Sequence, residues 1–85
     1  MHHSYKTEGV CAHQIDFDIE DETVRNIIFY GGCPGNHLGI AALADGMKPE
    51  DIISRLAGIK CGYKESSCPD QLARALQEII YQKKE

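Results

Sequence analysis

Hydrophobic and polar residues alternate most clearly along residues 10–20 of this chain. One parity carries Cys11, His13, Ile15, Phe17 and Ile19, and the other carries Ala12, Gln14, Asp16, Asp18 and Glu20. A period of two is typical of a β-strand with one buried face and one solvated face. The pattern therefore predicts Cys11 on the core side, and it predicts His13 there as a hydrogen-bonded core histidine.

Two further strands are expected on either side of this segment. Residues 24–30 are rich in β-branched and aromatic side chains, and a short acidic turn, residues 20–23, separates them from the first segment. Two such runs joined by a short polar loop predict an antiparallel hairpin. The weaker pattern of residues 1–9 favours an edge strand, in which the adjacent His2 and His3 are expected to be solvated.

The second half of the chain predicts three helices. The first covers about residues 36–44 and ends at Asp45-Gly46, because glycine commonly follows a helix C-terminus. The second begins at Lys48-Pro49 and stops at Gly58, and the third runs from about Pro69 to Lys83 with one apolar face. Strands followed by helices indicate one α+β domain over residues 1–85, with about three antiparallel strands and three helices on one sheet face. An open sheet face or edge on so small a domain favours self-association, so a homodimer is an expectation.

Charge and hydropathy exclude several functional classes. The 9 Lys and Arg residues are outnumbered by 13 Asp and Glu residues, which gives a formal charge of −4. A general nucleic-acid binder needs a basic stripe that this chain lacks. Its apolar runs are far shorter than the roughly 20 residues that span a bilayer. Because no segment has the features of a signal peptide, a soluble cytoplasmic protein is expected.

The four cysteines are the residues best suited to chemistry. They stand at positions 11, 33, 61 and 68, with no C-x-x-C motif, so spacing alone indicates neither a zinc finger nor a thioredoxin-type centre. Cys33 and Cys68 each precede a proline at a predicted helix start, where the helix dipole favours the thiolate. We expect this position to expose and activate both sulfurs. Ser67 and Asp70 also have the spacing of a capping box, with Asp in place of the usual Glu or Gln.

Three uses of these cysteines remain open from the residues alone. If the fold gathers Cys11, Cys33, Cys61 and Cys68, four thiolates suit a structural zinc ion, with an iron–sulfur cluster as the less favoured cofactor. Alternatively, Cys68 attacks and Cys61 resolves in a thiol-redox cycle. In the third interpretation the cysteines are packing residues of a non-catalytic partner-binding domain, and Cys11 is the best candidate for that packing role. His37, four residues after Cys33, is a candidate base or ligand, or else a capping or solvated histidine.

A resemblance adds to this interpretation. The segment Ser66-Ser67-Cys68-Pro69-Asp70-Gln71-Leu72-Ala73 resembles the motif after which the TSCPD domain family is named, with Ser66 where the family has threonine. Together with Cys33-Pro34-Gly35-Asn36 and Cys61-Gly62, it is similar to the free-standing four-cysteine branch of that family. The likeness covers nearly the whole chain.

The resemblance implies a role connected with deoxyribonucleotide synthesis. Similar domains occur at the C-terminal end of vitamin-B12-dependent ribonucleotide reductases, and stand-alone members therefore carry the name ribonucleoside-diphosphate reductase. This chain lacks the large barrel that holds the catalytic machinery of such an enzyme, so its own catalytic activity is left open. The expected function is a module that binds zinc or another soft metal and assists a ribonucleotide reductase or another redox enzyme.

Overall fold

The computed structural model describes residues 1–10, 12–31, 34–60 and 66–83. Three strands precede three helices along the chain, and this order confirms the predicted α+β class. The elements are β1 (His2–Lys6), β2 (Gln14–Glu20), β3 (Thr23–Tyr30), α1 (Pro34–Ala44), α2 (Pro49–Leu56) and α3 (Cys68–Lys83). Helix α1 starts two residues earlier than the expected residue 36, and α3 starts one residue earlier than the expected Pro69. Helix α2 starts at Pro49, within the predicted Lys48-Pro49 start.

The strands form one antiparallel sheet in the order β1-β2-β3. Asp21 and Glu22 connect β2 to β3 with φ angles of 51° and 66°, the left-handed pair that a two-residue type I′ hairpin requires. Further along β3, Asp16 pairs with Ile28 but Asp18 pairs with Arg25, so one extra residue is accommodated as a β-bulge. Asn26, at φ 56°, lies in that bulge.

The core joins the sheet to all three helices. Phe17 and Ile15 from β2 are fully buried, as are Leu72 and Leu76 from α3. The remaining buried members of the core cluster are Val24, Ile27, Ala44, Ile52 and Ala75. The side chains of β2 that alternate with the core residues, including Asp16 and Asp18, make polar contacts with β1 and β3 instead. The helices therefore cover one face of the sheet, as predicted.

The connections fix the direction of each helix relative to the sheet. After α1, Gly46 donates a backbone hydrogen bond of 2.7 Å to the carbonyl of Val24, so α1 ends beside the start of β3. The chain then returns along α2, and the backbone N–H of Gly58 donates to the Asp70 carboxylate at the start of α3. The beginning of β2, the end of β3, the end of α2 and the start of α3 consequently lie at one end of the molecule. We call this the loop end.

The prediction for His13 is wrong. His13 is exposed and precedes β2, which begins only at Gln14, whereas its neighbour Ala12 is buried with 2% of its surface exposed. The backbone of His13 accepts from Thr7 and donates to Tyr30, so this residue closes the β1–β2 loop onto β3. The alternating pattern of the sequence continues through the loop although the strand does not. The predicted orientation of Cys11 lies outside the described residues.

Candidate functional site

The start of α3 is a fully formed helix cap. The hydroxyl of Ser67 accepts a hydrogen bond of 3.2 Å from the backbone N–H of Asp70, which is the interaction expected of an N-cap serine three residues earlier. The same hydroxyl donates to the carbonyl of Ile59 over 2.7 Å. Ser67 thus stabilises the first turn of α3 and also attaches it to the segment that follows α2.

The carboxylate of Asp70 collects donors from three separate positions. Ser66 donates its hydroxyl at 2.6 Å, Gly58 its backbone N–H at 2.7 Å, and Arg74 its Nε–H at 2.9 Å. The aspartate is 3% exposed, so each of these bonds compensates for water that the carboxylate has lost. This group ties the end of α2 to the first turn of α3.

A second polar chain reaches the sheet side of the loop end. Gln71 donates from Nε2 to the Ser66 hydroxyl at 2.8 Å, and its Oε1 accepts from the backbone N–H of Glu8 at 3.3 Å. Glu8 belongs to the β1–β2 loop. We call Ser66, Ser67, Asp70 and Gln71 the cap network. All four side chains are buried, and together they connect α3 to both neighbouring segments.

The cap network sets the charge of Asp70. Burial by itself raises the pKa of this carboxyl, but the hydroxyl of Ser66, the backbone N–H of Gly58 and the Arg74 guanidinium outweigh burial and hold the pKa below its usual value. The carboxylate therefore stays ionised at neutral pH. It is the acceptor at the centre of the network, which is a structural role.

Cys68 begins α3 inside this network, and its sulfur is not exposed as we expected. Only 6% of the residue is accessible. Reactive thiols are usually partly exposed, so burial does not favour attack on disulfides of other molecules. The positions of Cys11, Cys33 and Cys61, and hence the distances among the four sulfurs, lie outside the described residues.

The described neighbours of the four cysteines meet at the loop end. The register pairs Gln14 with Tyr30, and these residues are three positions after Cys11 and three before Cys33. Ile59 stands two positions before Cys61 and accepts from Ser67, the residue before Cys68. The Glu8 to Gln71 hydrogen bond joins the two halves. Each cysteine is thus one to three residues along the chain from this end of the fold.

His37 is a buried polar residue on the core side of α1. It is 6% exposed, and its ring stacks on Phe29 with centroids 4.5 Å apart and planes inclined by 21°. Burial lowers the pKa of the imidazole, and a hydrogen bond with the backbone of Gly31 offsets only part of this effect. Its Nδ1 has no hydrogen-bond partner among the described residues. His37 is therefore neutral at physiological pH, and its Nδ1 is a buried polar atom without a hydrogen bond to the described residues.

The other sequence candidates are distributed elsewhere. His2 lies on the outer face of the sheet, where its Nδ1 is 2.8 Å from Asp18 and its Nε2 is 3.5 Å from Asp16. The hydrogen bond with Asp18 is the main cause that raises the pKa of His2. His3 stacks on Phe17 with centroids 5.5 Å apart. Within the described ranges, no three His, Cys, Asp or Glu residues are grouped so that they could hold a metal ion.

The fold and the loop end define a small α+β module organised around a capped, cysteine-bearing helix start. The model of the TSCPD domain matches residues 1–80, and the chain belongs to that family. No curated protein and no solved structure matches the chain. None of the helices in the parts of the chain that the structure describes is long and apolar enough to cross a membrane.

The structural importance of Asp70 is what sequence reasoning missed. The spacing of Ser67 and Asp70 predicts a capping box, and one of its two hydrogen bonds is present, from the backbone N–H of Asp70 to the Ser67 hydroxyl. The aspartate side chain, however, bonds to Ser66, Gly58 and Arg74 rather than to the backbone of Ser67. Its i,i+4 spacing to Arg74 was the one readable signal. The partnership with Gly58 depends on how α2 packs on α3 and has no local signature.

We predict that Asp70→Asn destabilises the fold by about 1–3 kcal/mol at pH 7, because an amide cannot replace the carboxylate toward all of its donors. The folded pKa of Asp70 lies below the unfolded value of about 3.9, so its contribution is complete above that value and disappears as the pH falls through the folded pKa. Urea unfolding at several pH values measures this.

The difference in stability between wild type and variant should therefore shrink in acid. Asp51→Asn, which removes an exposed carboxylate from the first turn of α2, is the control and should cost well under 1 kcal/mol. An Asp70→Asn protein as stable as the wild type at pH 7 would contradict the structural role of the carboxylate.

Proposed function

We propose that this protein binds zinc or another soft metal through Cys11, Cys33, Cys61 and Cys68. The observation that supports the proposal is the junction at the loop end, where hydrogen bonds and strand pairing join described residues that lie one to three positions along the chain from each cysteine. Consecutive Cα atoms are about 3.8 Å apart, so a cysteine one to three residues from that junction has only a short span of chain to cross.

The environment of Cys68 suits a structural ligand better than a nucleophile. The positive end of the α3 dipole and a bound cation would favour the thiolate at this buried position, whereas burial alone disfavours it. Thiolates select soft ions such as zinc over magnesium or calcium. When bound, the ion would supply a cross-link between the β1–β2 loop, α1 and α3, and four cysteines would complete the closed tetrahedral shell of a structural site.

A bound metal would also add folding free energy to a chain of only 85 residues. A domain of this size buries a small core, and a bound ion is one of the few devices that add folding free energy without more residues. Binding to the native state alone raises stability by mass action. The proposed site is therefore structural, and its removal is expected to lower the melting temperature.

We expect untagged protein purified without chelator to contain about one equivalent of metal per chain by elemental analysis. Cys68→Ser should lose most of it, because a hydroxyl is a poor replacement for a thiolate on a soft ion. Ala73→Ser introduces a hydroxyl at another fully buried position of α3 and should keep the metal. Folded wild-type protein that binds no added zinc and has four titratable thiols would overturn the proposal.

We propose further that the protein has an accessory role in ribonucleotide reduction, and its membership of the TSCPD domain family supports this role. The measurement is direct binding between the purified protein and the vitamin-B12-dependent ribonucleotide reductase of the same organism, by calorimetry, with and without metal. Saturable binding that depends on the metal-loaded form is expected. A complete lack of binding and of any effect on reductase turnover would contradict this role.

The surface of α1 supports a homodimer. The helix contains no charged residue, although the chain carries a formal charge of −4. Leu38 and Leu43 are 71% and 82% exposed. Beside them lies a groove of about 460 Å³, lined by Ile40, Leu43, Ala44, Met47, Ile52, Arg55 and Leu56. We propose that a second copy covers this surface, because a two-fold axis would let the exposed leucines of each copy pack on the apolar groove of the other.

Leu43→Glu should convert the dimer to a monomer, because it places a carboxylate in the proposed apolar contact. Sedimentation equilibrium measures the mass. Tyr81→Glu is the matched control, since Tyr81 is 70% exposed on α3, and this variant should remain dimeric. A monomeric wild type at high protein concentration would exclude the interface.

A further inference from the structure

The free edge of the sheet at β1 is not used by the metal site or by the proposed α1 contact. β1 pairs with β2 alone, since the described residues place no strand on its other side. The opposite edge is covered where β3 begins, because Val24 accepts a backbone hydrogen bond from Gly46 and donates one to Met47. An uncovered edge strand presents N–H and C=O groups that pair readily with another extended chain.

The backbone groups that face this edge belong to alternate residues of β1. At one end of the strand, Thr7 donates its backbone N–H to His13. At the other end, Ile19 donates to Met1, so the odd-numbered residues form the hydrogen bonds with β2. In an antiparallel pair the residues between them direct both backbone groups the other way. The free edge therefore presents the backbone groups of three exposed residues, His2, Ser4 and Lys6.

Two cavities lie beside β1 on the helix side of the sheet. The smaller, of about 180 Å³, extends along the strand from His3 to Tyr5, and Phe17, Ala75 and Ile79 contribute apolar surface to it. The larger, of about 600 Å³, begins at Tyr5 and extends along α3. A chain paired with β1 would direct every second side chain, about 6.8 Å apart, to this side of the sheet. Two successive inward side chains can therefore enter the two cavities, and a short aliphatic side chain suits the smaller one.

The lining of the larger cavity favours a cationic side chain. It combines the phenol rings of Tyr5 and Tyr81 with the carboxylate of Glu78. After burial, this carboxylate is the largest cause that raises the pKa of Tyr5, so the two groups are neighbours. Glu78 is exposed and forms no salt bridge with the described side chains, whereas Arg74 in the same lining is paired with Asp70. A lysine or arginine would contact the rings and pair with Glu78.

The inward side chains of a second β1 are unsuited to these cavities. His3 of each copy stacks on its own Phe17, and Tyr5 packs against its own core, so neither side chain is available to another copy. The occupant is therefore a segment of a different protein. The formal charge of −4 on this chain also favours the approach of a basic segment.

We propose that β1 binds an extended segment of a partner protein by strand addition, with an aliphatic side chain in the smaller cavity and a lysine or arginine, two positions away, in the larger one. Hydrogen bonds to the backbone of His2, Ser4 and Lys6 hold the segment in place, and the two cavities select its side chains. None of the four cysteines takes part, so this surface does not depend on the metal.

Selection of random peptides displayed on phage, with the full-length protein as target, tests the predicted side chains. The selected peptides should share an aliphatic and a basic residue two positions apart, and fluorescence polarisation then gives the affinity of one of them. Ser4→Pro removes an N–H that faces the free edge and should weaken binding at least about tenfold. Ser4→Ala loses the same hydroxyl but keeps the N–H, so it should bind as the wild type does. Glu78→Gln should weaken binding about threefold.

Hydrogen exchange measured by NMR on the wild type gives a second test that does not depend on the variants folding. In the free protein the amides of Ser4 and Lys6 should exchange faster than those of His3 and Tyr5, and a selected peptide should slow the first pair. A library that yields no binder would overturn the proposal. Peptides that lack the basic position, or that protect other amides instead, would overturn it as well.

Equal binding of a selected peptide to folded Ser4→Pro protein would also contradict strand addition at this edge.

Discussion

The buried carboxylate of Asp70 is the interaction on which the loop end depends. An ionised group with 3% exposure is unfavourable unless donors surround it, and Ser66, Gly58 and Arg74 provide them from the residues before α3, the end of α2 and the next turn of α3. Each donor is thereby held in place as well. The short polar motif at the start of α3 is consequently a device for packing two helices against each other, in addition to capping one of them.

The same constraint accounts for the residue types at these positions in this chain. Ser67 must accept from Asp70 and donate to Ile59, which needs a hydroxyl that does both. Gln71 must donate to Ser66 and accept from Glu8, which an amide does and a carboxylate does not. A polar network of this kind is stabilising only when all of its members are satisfied.

Much of the fold follows from periodicity, and the exceptions have physical causes. The alternating pattern of β2 and the apolar face of α3 correctly predict Ile15, Phe17, Leu72 and Leu76 as core residues. His13 is misplaced because the alternation persists in a loop whose backbone bonds to Tyr30 instead of extending the strand.

Buried polar contacts between residues that are distant in the sequence also could not be predicted from the periodicity. Asp16 has the parity of a solvated position but is 9% exposed, because Gln14 and Tyr30 donate to its carboxylate. Tyr30 becomes its neighbour only through the register of β2 with β3. In the candidate site the helix start at Cys68 was predictable from Cys-Pro and the capping spacing, whereas the burial of Cys68 was not, because burial depends on tertiary packing that has no local signature.

Gly31 links the two sides of the loop end. A Cβ placed on Gly31 would lie 2.6 Å from the ring of His13, and the backbone has a φ of 82°. A side chain there would have to displace the exposed ring of His13 and would strain the backbone, so glycine is favoured where the end of β3 meets the β1–β2 loop. Gly31 also forms a backbone hydrogen bond with His37, so this residue is in contact with both α1 and the β1–β2 loop. A larger residue at position 31 would therefore be expected to alter the packing of the loop end on both sides.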